Sequence, residues 1–226
     1  MVCANDKFKQ KTGDEDSDDE DEDDGIRGLL THSLAHIAVC SGNVDVLRAV
    51  LDAGAGDLLE TRCSHQPSSF WYCSCPRIFG AASRAPVHVA AANGDTACLR
   101  VLAELADAQK PGGAALLLGA LTGEANDDGE WQHAQLSAAH YAAYGGHDEC
   151  LRVLHSHGVR LDQRATAELD CIGQLRPLDA DRADHMRRNV TPAHLAAAAG
   201  RVSTLALLCG LSGKESLLQV TSEARA

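Results

Sequence analysis

The chain has 226 residues, of which 45% are apolar, and a formal net charge of −12. That apolar share suffices for one elongated domain with a continuous core, and so acidic a balance with no basic stripe argues against direct binding to DNA or RNA. No apolar run approaches the roughly 20 residues a membrane helix needs, and the opening Met1-Val2-Cys3-Ala4-Asn5-Asp6 lacks the apolar core of a signal peptide. The nine cysteines form no regular disulfide framework, so a reducing compartment, cytoplasmic or nuclear, is expected.

Residues 1–25 read as a disordered tail. Asp14 to Asp24 holds ten carboxylates interrupted only by Ser17, and self-repulsion leaves such a stretch without a core. Eleven acids against Lys7, Lys9 and Lys11 give this segment −8 of the total −12, so the acidity is local to it. Ser17-Asp18-Asp19-Glu20 resembles a site for an acidophilic kinase, which makes Ser17 a candidate phosphorylation site; a solubilising tail is the plainer reading.

The body, residues 26–226, is organised by a decapeptide that occurs four times: Ser33 to Gly42, Ala85 to Gly94, Ser137 to Gly146 and Thr191 to Gly200. Each copy carries a His six residues before its closing Gly, so His36, His88, His140 and His194 are equivalent, as are Gly42, Gly94, Gly146 and Gly200. Each reads as a short Ala-rich helix. Ser137 and Thr191 are expected to cap with their hydroxyls, Pro86 and Pro192 occupy the first helical position, and the Gly suits a left-handed C-cap. A second apolar pattern follows each Gly: Val46, Leu47 and Val50; Cys98, Leu99 and Leu102; Cys150, Leu151 and Leu154; Thr204, Leu205 and Leu208. Those positions share one helical face, so the unit is helix, turn, helix, with a face that needs a neighbouring unit to bury it.

Thr191-Pro192-Ala193-His194 and Ala85-Pro86-Val87-His88 resemble the T-P-L-H signature of the ankyrin repeat, and Ala53-Gly54-Ala55 is similar to the Gly-Ala pair that closes such a repeat. The resemblance implies an all-α solenoid of stacked helix-turn-helix units with long inter-repeat loops, its repeats lying near 31–62, 84–110, 136–162 and 190–222. It also implies that the four motif histidines hydrogen-bond neighbouring backbone and tie adjacent repeats together, and that the protein binds another protein along a concave face.

The closing glycines are 52, 52 and 54 residues apart, against about 33 in an ankyrin unit. Each junction therefore carries an insertion, and three insertions at equivalent places are expected to form one surface. The first, 57–84, holds Phe70, Trp71, Tyr72 and Phe79; with Trp131 of the second these are five of the eight aromatics in the chain. They are candidate partner-binding residues, since Trp and Tyr dominate binding hot spots; the alternative is that they fold back over the small side chains of the stack. Cys63, His65, Cys73 and Cys75 offer soft ligands, yet Cys-x-Cys is not the usual zinc spacing, so a zinc-stabilised loop stands only as an alternative. The second insertion, about 106–136, contains an apolar run, Ala114 to Leu121, read as a helical turn or two packed on the stack, and a tight turn at Asn126-Asp127-Asp128-Gly129. In the third, 162–189, Ala165 to Leu169 and Asp179 to Arg187 read as helical, separated by Pro177. After Gly210, Ser212-Gly213-Lys214-Glu215 resembles a capping box leading into a final half-repeat; either this is the cap of the stack or the chain belongs to a longer protein.

No phosphate-binding glycine loop and no nucleophile elbow is present. Cys150 near His140, His147, His155 and His157 suggests a nucleophile pair, but His140 is the recurring motif histidine and Cys150 aligns with the apolar Val46. The expectation is a monomeric, non-catalytic adaptor or scaffold without cofactor, whose partner is another protein, not nucleic acid or a membrane. An interaction or targeting module of a larger enzyme or channel is the runner-up.

Overall fold

A computed structural model describes residues 34–53, 84–122, 135–169, 175–176 and 188–213. Within them the chain is predominantly helical. Helices α1 (Leu34–Cys40) and α2 (Val44–Asp52) form the first pair, α3 (Pro86–Asn93) and α4 (Thr96–Gln109) the second, α6 (Ala138–Gly145) and α7 (Asp148–Ser156) the third, and α8 (Pro192–Ala198) and α9 (Val202–Ser212) the fourth. A short helix, α5 (Gly113–Leu118), follows α4. The four-fold motif thus becomes four helix pairs, as its spacing predicts.

Each turn between paired helices has the same cause. Gly42, Gly94, Gly146 and Gly200 sit at φ +63°, +74°, +80° and +68°, a left-handed conformation that costs an L side chain about 1–2 kcal/mol. The residue after the turn starts the next helix. Asn43 Oδ1 accepts from the Val46 amide at 3.0 Å and Asp95 Oδ1 from the Cys98 amide at 3.0 Å, each satisfying an otherwise orphaned helix N–H.

The pairs stack in two layers. First helices α1, α3, α6 and α8 pack in succession, and second helices α2, α4, α7 and α9 do the same beside them. The Ala four residues before each closing Gly (Ala38, Ala90, Ala142, Ala196) is buried, and its small side chain lets first helices approach closely. Leu47, Leu99 and Leu151, at equivalent places in the second helices, are fully buried. At roughly 1.5–3 kcal/mol per fully buried aliphatic side chain, these positions hold the two layers together.

Several sequence expectations change here. Val46 stands at the position of the buried Cys98, Cys150 and Thr204, yet it is 45% exposed. That position faces the preceding unit, and no described helix pair precedes the first. Ala165 to Leu169, read as helical from its Ala, Glu and Leu, is instead strand β1 (Ala165–Leu169), central in a small sheet of order β2-β1-β3. Strand β2 (Leu175–Arg176) and strand β3 (Arg188–Val190) both pair with it antiparallel, and Ala165 lies opposite Val190. The partner strands override a helical propensity of a few tenths of a kcal/mol per residue. Helix α9 continues through Gly210 to Ser212, so Ser212 lies in the last turn of a helix; Lys214 and Glu215 of the expected capping box lie outside the described residues. The second insertion agrees with its reading: Gly113–Leu118 is helical and packs on α4. No helix among the described residues is long and apolar enough to cross a membrane.

Candidate functional site

The motif histidines form the most regular polar feature of the molecule. In the second, third and fourth units Nδ1 accepts a main-chain N–H from the residue just before the helix: Ala85 to His88 at 3.1 Å, Ser137 to His140 at 3.2 Å and Thr191 to His194 at 3.2 Å. The main-chain N–H of His88 and of His140 in turn donates to the carbonyl of that same residue, at 3.0 Å in both. This closes a reciprocal box in which His takes the place usually held by Glu or Gln. The hydroxyls of Ser137 and Thr191 do not cap a helix amide as their sequence position suggests. They donate to the imidazole Nδ1, at 2.8 and 2.7 Å.

With Nδ1 accepting, the ring proton sits on Nε2, and Nε2 donates across the junction. His36 reaches the Arg84 carbonyl at 2.7 Å and His140 the Val190 carbonyl at 3.0 Å, in both cases the residue leading into the next unit. His88 departs from the pattern. It donates to the Ala120 carbonyl at 2.9 Å, within the second insertion. The cause is local pairing: Leu136, which holds the expected position, already accepts from the Thr122 amide at 2.8 Å, and Leu121 bridges to Ser137. The insertion has been threaded into the ladder.

A second ladder escaped the sequence reading. The residue after a closing Gly reaches back one unit: His147 Nε2 donates to the Ala92 carbonyl at 3.1 Å, and Arg201 Nε to the Tyr144 carbonyl at 3.1 Å. Both acceptors lie two residues before the preceding closing Gly, where helix-end carbonyls lack intrahelical donors. The signal was a long donor side chain directly after Gly146 and Gly200. A third set of contacts joins second helices, with Thr96 Oγ1 3.5 Å from Cys150 Sγ and Thr204 Oγ1 donating to Asp148 Oδ1 at 2.6 Å.

Burial sets the chemistry of these groups. His140 is wholly enclosed, and loss of hydration pushes its pKa down to about 4 against the hydrogen bond to Val190 that favours the charged form; burial moves His194 in the same direction. Cys98 is pushed up to about 12, first by burial and then by its hydrogen bond to and repulsion from Asp95. The Cys150 thiol is likewise raised, mainly by burial. Such thiols stay protonated at neutral pH and are poor nucleophiles.

These shifts predict a pH dependence of stability. An unfolded imidazole protonates near pH 6.5 and the folded His140 only near 4, so between those values the unfolded chain holds more protons. Stability from this group is therefore complete above pH 6.5 and falls as pH drops towards 4. His140 alone accounts for about 3 kcal/mol over that interval. Urea unfolding at pH 7.5, 6.0 and 5.0 should give a midpoint that falls with pH, and a shallower fall in His140→Gln. An unchanged midpoint from pH 7.5 to 5.0 would contradict a buried neutral ladder.

Phe70, Trp71, Tyr72, Phe79 and Trp131 lie outside the described residues, as do Ser17 and the Cys63, His65, Cys73, Cys75 set. Among the described residues, no group of three or more His, Cys, Asp or Glu is placed to hold a metal ion. The roots of the second and third insertions are in view, at Ala120–Thr122 beside Leu136–Ser137 and at Ala165 beside Val190, and each abuts a motif histidine or its acceptor.

The layers and ladders define a helical-repeat protein. No family model matches the chain, and no curated protein matches it. Among solved structures, it is similar to one described as the crystal structure of the yeast ribosomal protein Rps3 in complex with its chaperone Yar1, at 14% identity and a TM-score of 0.48, covering 82% of this chain and 91% of that one.

Proposed function

We propose that the chain is a non-catalytic protein-binding module of the ankyrin-repeat type, which engages its partner through the first-helix layer and the inserted loops. The observation that carries this reading is the repeated junction. Three histidine-to-carbonyl bonds tie the motif helices to chain beyond their own helix pair, and all three end on an insertion or its exit. A scaffold that anchors its loops to its own stacking bonds holds them at a fixed spacing, and rigid presentation lowers the entropic cost of binding. The motif histidines and the stack cysteines of the described residues are committed to the fold. His88 and His140 bond main chain through both ring nitrogens, and Cys98 and Cys150 are buried in the stack.

Trp71, Tyr72 and Trp131 are the proposed anchors. The test is affinity capture from a matched lysate with in-cell cross-linking, comparing the intact protein with a Trp71→Ala, Trp131→Ala double variant whose helix content and melting are unchanged. A cross-linked partner that depends on the two tryptophans supports the reading. An identical partner set for both proteins moves the binding face off the insertions.

A further inference from the structure

Both ends of the described stack present the surfaces that interior units use to join one another. At the first end, Ile37 is 54% exposed, whereas its equivalents Val89, Tyr141 and Leu195 are fully buried, Tyr141 edge-on to His88 of the preceding unit. Val46 is exposed there for the same reason. At the other end Val202 is 77% exposed; its equivalents Thr96 and Asp148 each meet a side chain of the following unit. His194 is also incomplete. Its Nδ1 is satisfied as in the other units, but its Nε2 has no acceptor among the described residues, where His36, His88 and His140 each have one.

The two ends are complementary by the chain's own rule. At interior junctions the second residue after one closing Gly faces the fourth residue after the next, polar against polar for Asp148 with Thr204 and hydroxyl against thiol for Thr96 with Cys150. Extending that rule past the fourth unit sets Val202 against the fourth residue after a first closing Gly, which is Val46. We propose that a second copy of this chain docks head to tail, Val202 of one copy on Val46 of the next, continuing the stack and offering main chain of the incoming unit to His194 Nε2. This departs from the monomer expected from the sequence. The joint is heterologous, so each added copy leaves the same two surfaces free, and assembly grows with concentration. Each chain carries −12, so repulsion opposes the contact and salt should strengthen it.

The test is sedimentation velocity on the full chain from about 1 to 200 μM, at low and high salt, spanning the range of weak self-association. Wild-type protein should exceed its 23.8 kDa monomer mass as concentration rises, and more so at high salt. Val46→Asp and Val202→Asp replace exposed side chains, so both should fold as wild type by circular dichroism, and each alone should raise the concentration for half-assembly at least about tenfold. Mixing the two variants restores one intact joint and should give a species that stops at the dimer. Wild-type protein that stays monomeric throughout overturns the proposal, as does assembly that survives both substitutions or a mixture of variants that forms no dimer.

Discussion

His140→Ala is expected to lower the unfolding free energy by about 3–5 kcal/mol, the largest loss of any single side chain in the ladders. The ring is fully buried and joins three partners: the Ser137 amide, the Ser137 hydroxyl and the Val190 carbonyl. Truncation leaves those groups without their partner away from water, each at a cost of about 1–3 kcal/mol if left unmet, and opens a cavity beside Tyr141 on the same helix. It also frees β3 at Val190, the strand that pairs with β1 and leads into α8. His194→Ala is the internal control. That ring keeps the Thr191 contacts but is only half-buried and has no described junction acceptor, so a loss of about 1–2 kcal/mol is expected. Urea unfolding of both variants at pH 7.5 checks the difference; equal losses would mean that the junction bond to Val190 contributes little.

Gly94→Ala comes next, at about 2–3 kcal/mol, and Gly158→Ala separates its two causes. The backbone angles nearly coincide, φ +74° at Gly94 and +79° at Gly158, so the conformational penalty of about 1 kcal/mol is common to both. Their surroundings differ. A Cβ on Gly94 would lie 2.6 Å from His147 Nδ1, whereas one on Gly158 meets nothing within 4 Å. Ala at position 94 therefore has to displace the imidazole and with it the bond to the Ala92 carbonyl. The cost above that of Gly158→Ala should vanish in a His147→Ala background, where the obstructing ring is gone. If the excess persists there, the second ladder is not what requires glycine at this turn.

The helix pairs were legible in the sequence because everything that makes them is local. A proline at N1, a left-handed glycine and apolar residues at helical spacing lie within one unit, and the motif histidine closes its box with a residue three positions away. What the sequence did not reveal depends mostly on chain outside the element concerned. Strand β1 exists because β2 and β3 flank it, against the helical leaning of its own composition. The turn to Ala120 at His88 follows from the pairing of Leu121 with Ser137, and the exposure of Val46 follows from its place in the first described pair, which a repeat alignment treats as equivalent to the rest. Ser137 and Thr191 hold the N-cap positions their motif predicts, and their hydroxyl protons go to the imidazole three residues on, a contact that cap preference alone does not disclose. The proposed binding aromatics were legible as a compositional anomaly, five of eight aromatics gathered in the insertions, and composition says where they cluster without saying what they touch.

The central claim is that neutral histidines, with His88 and His140 accepting at Nδ1 and donating from Nε2, stitch the units of this chain into one stack. Long-range nitrogen–proton correlation NMR on histidine-labelled protein from pH 7.5 to 4.5 tests it directly. His88 and His140 should show the neutral Nε2–H tautomer with an unprotonated Nδ1, with His140 holding that state well below pH 6.5. An Nδ1–H tautomer at these positions, or His140 titrating near 6.5 while the protein remains folded, would contradict the stitching and, with it, the function proposed above.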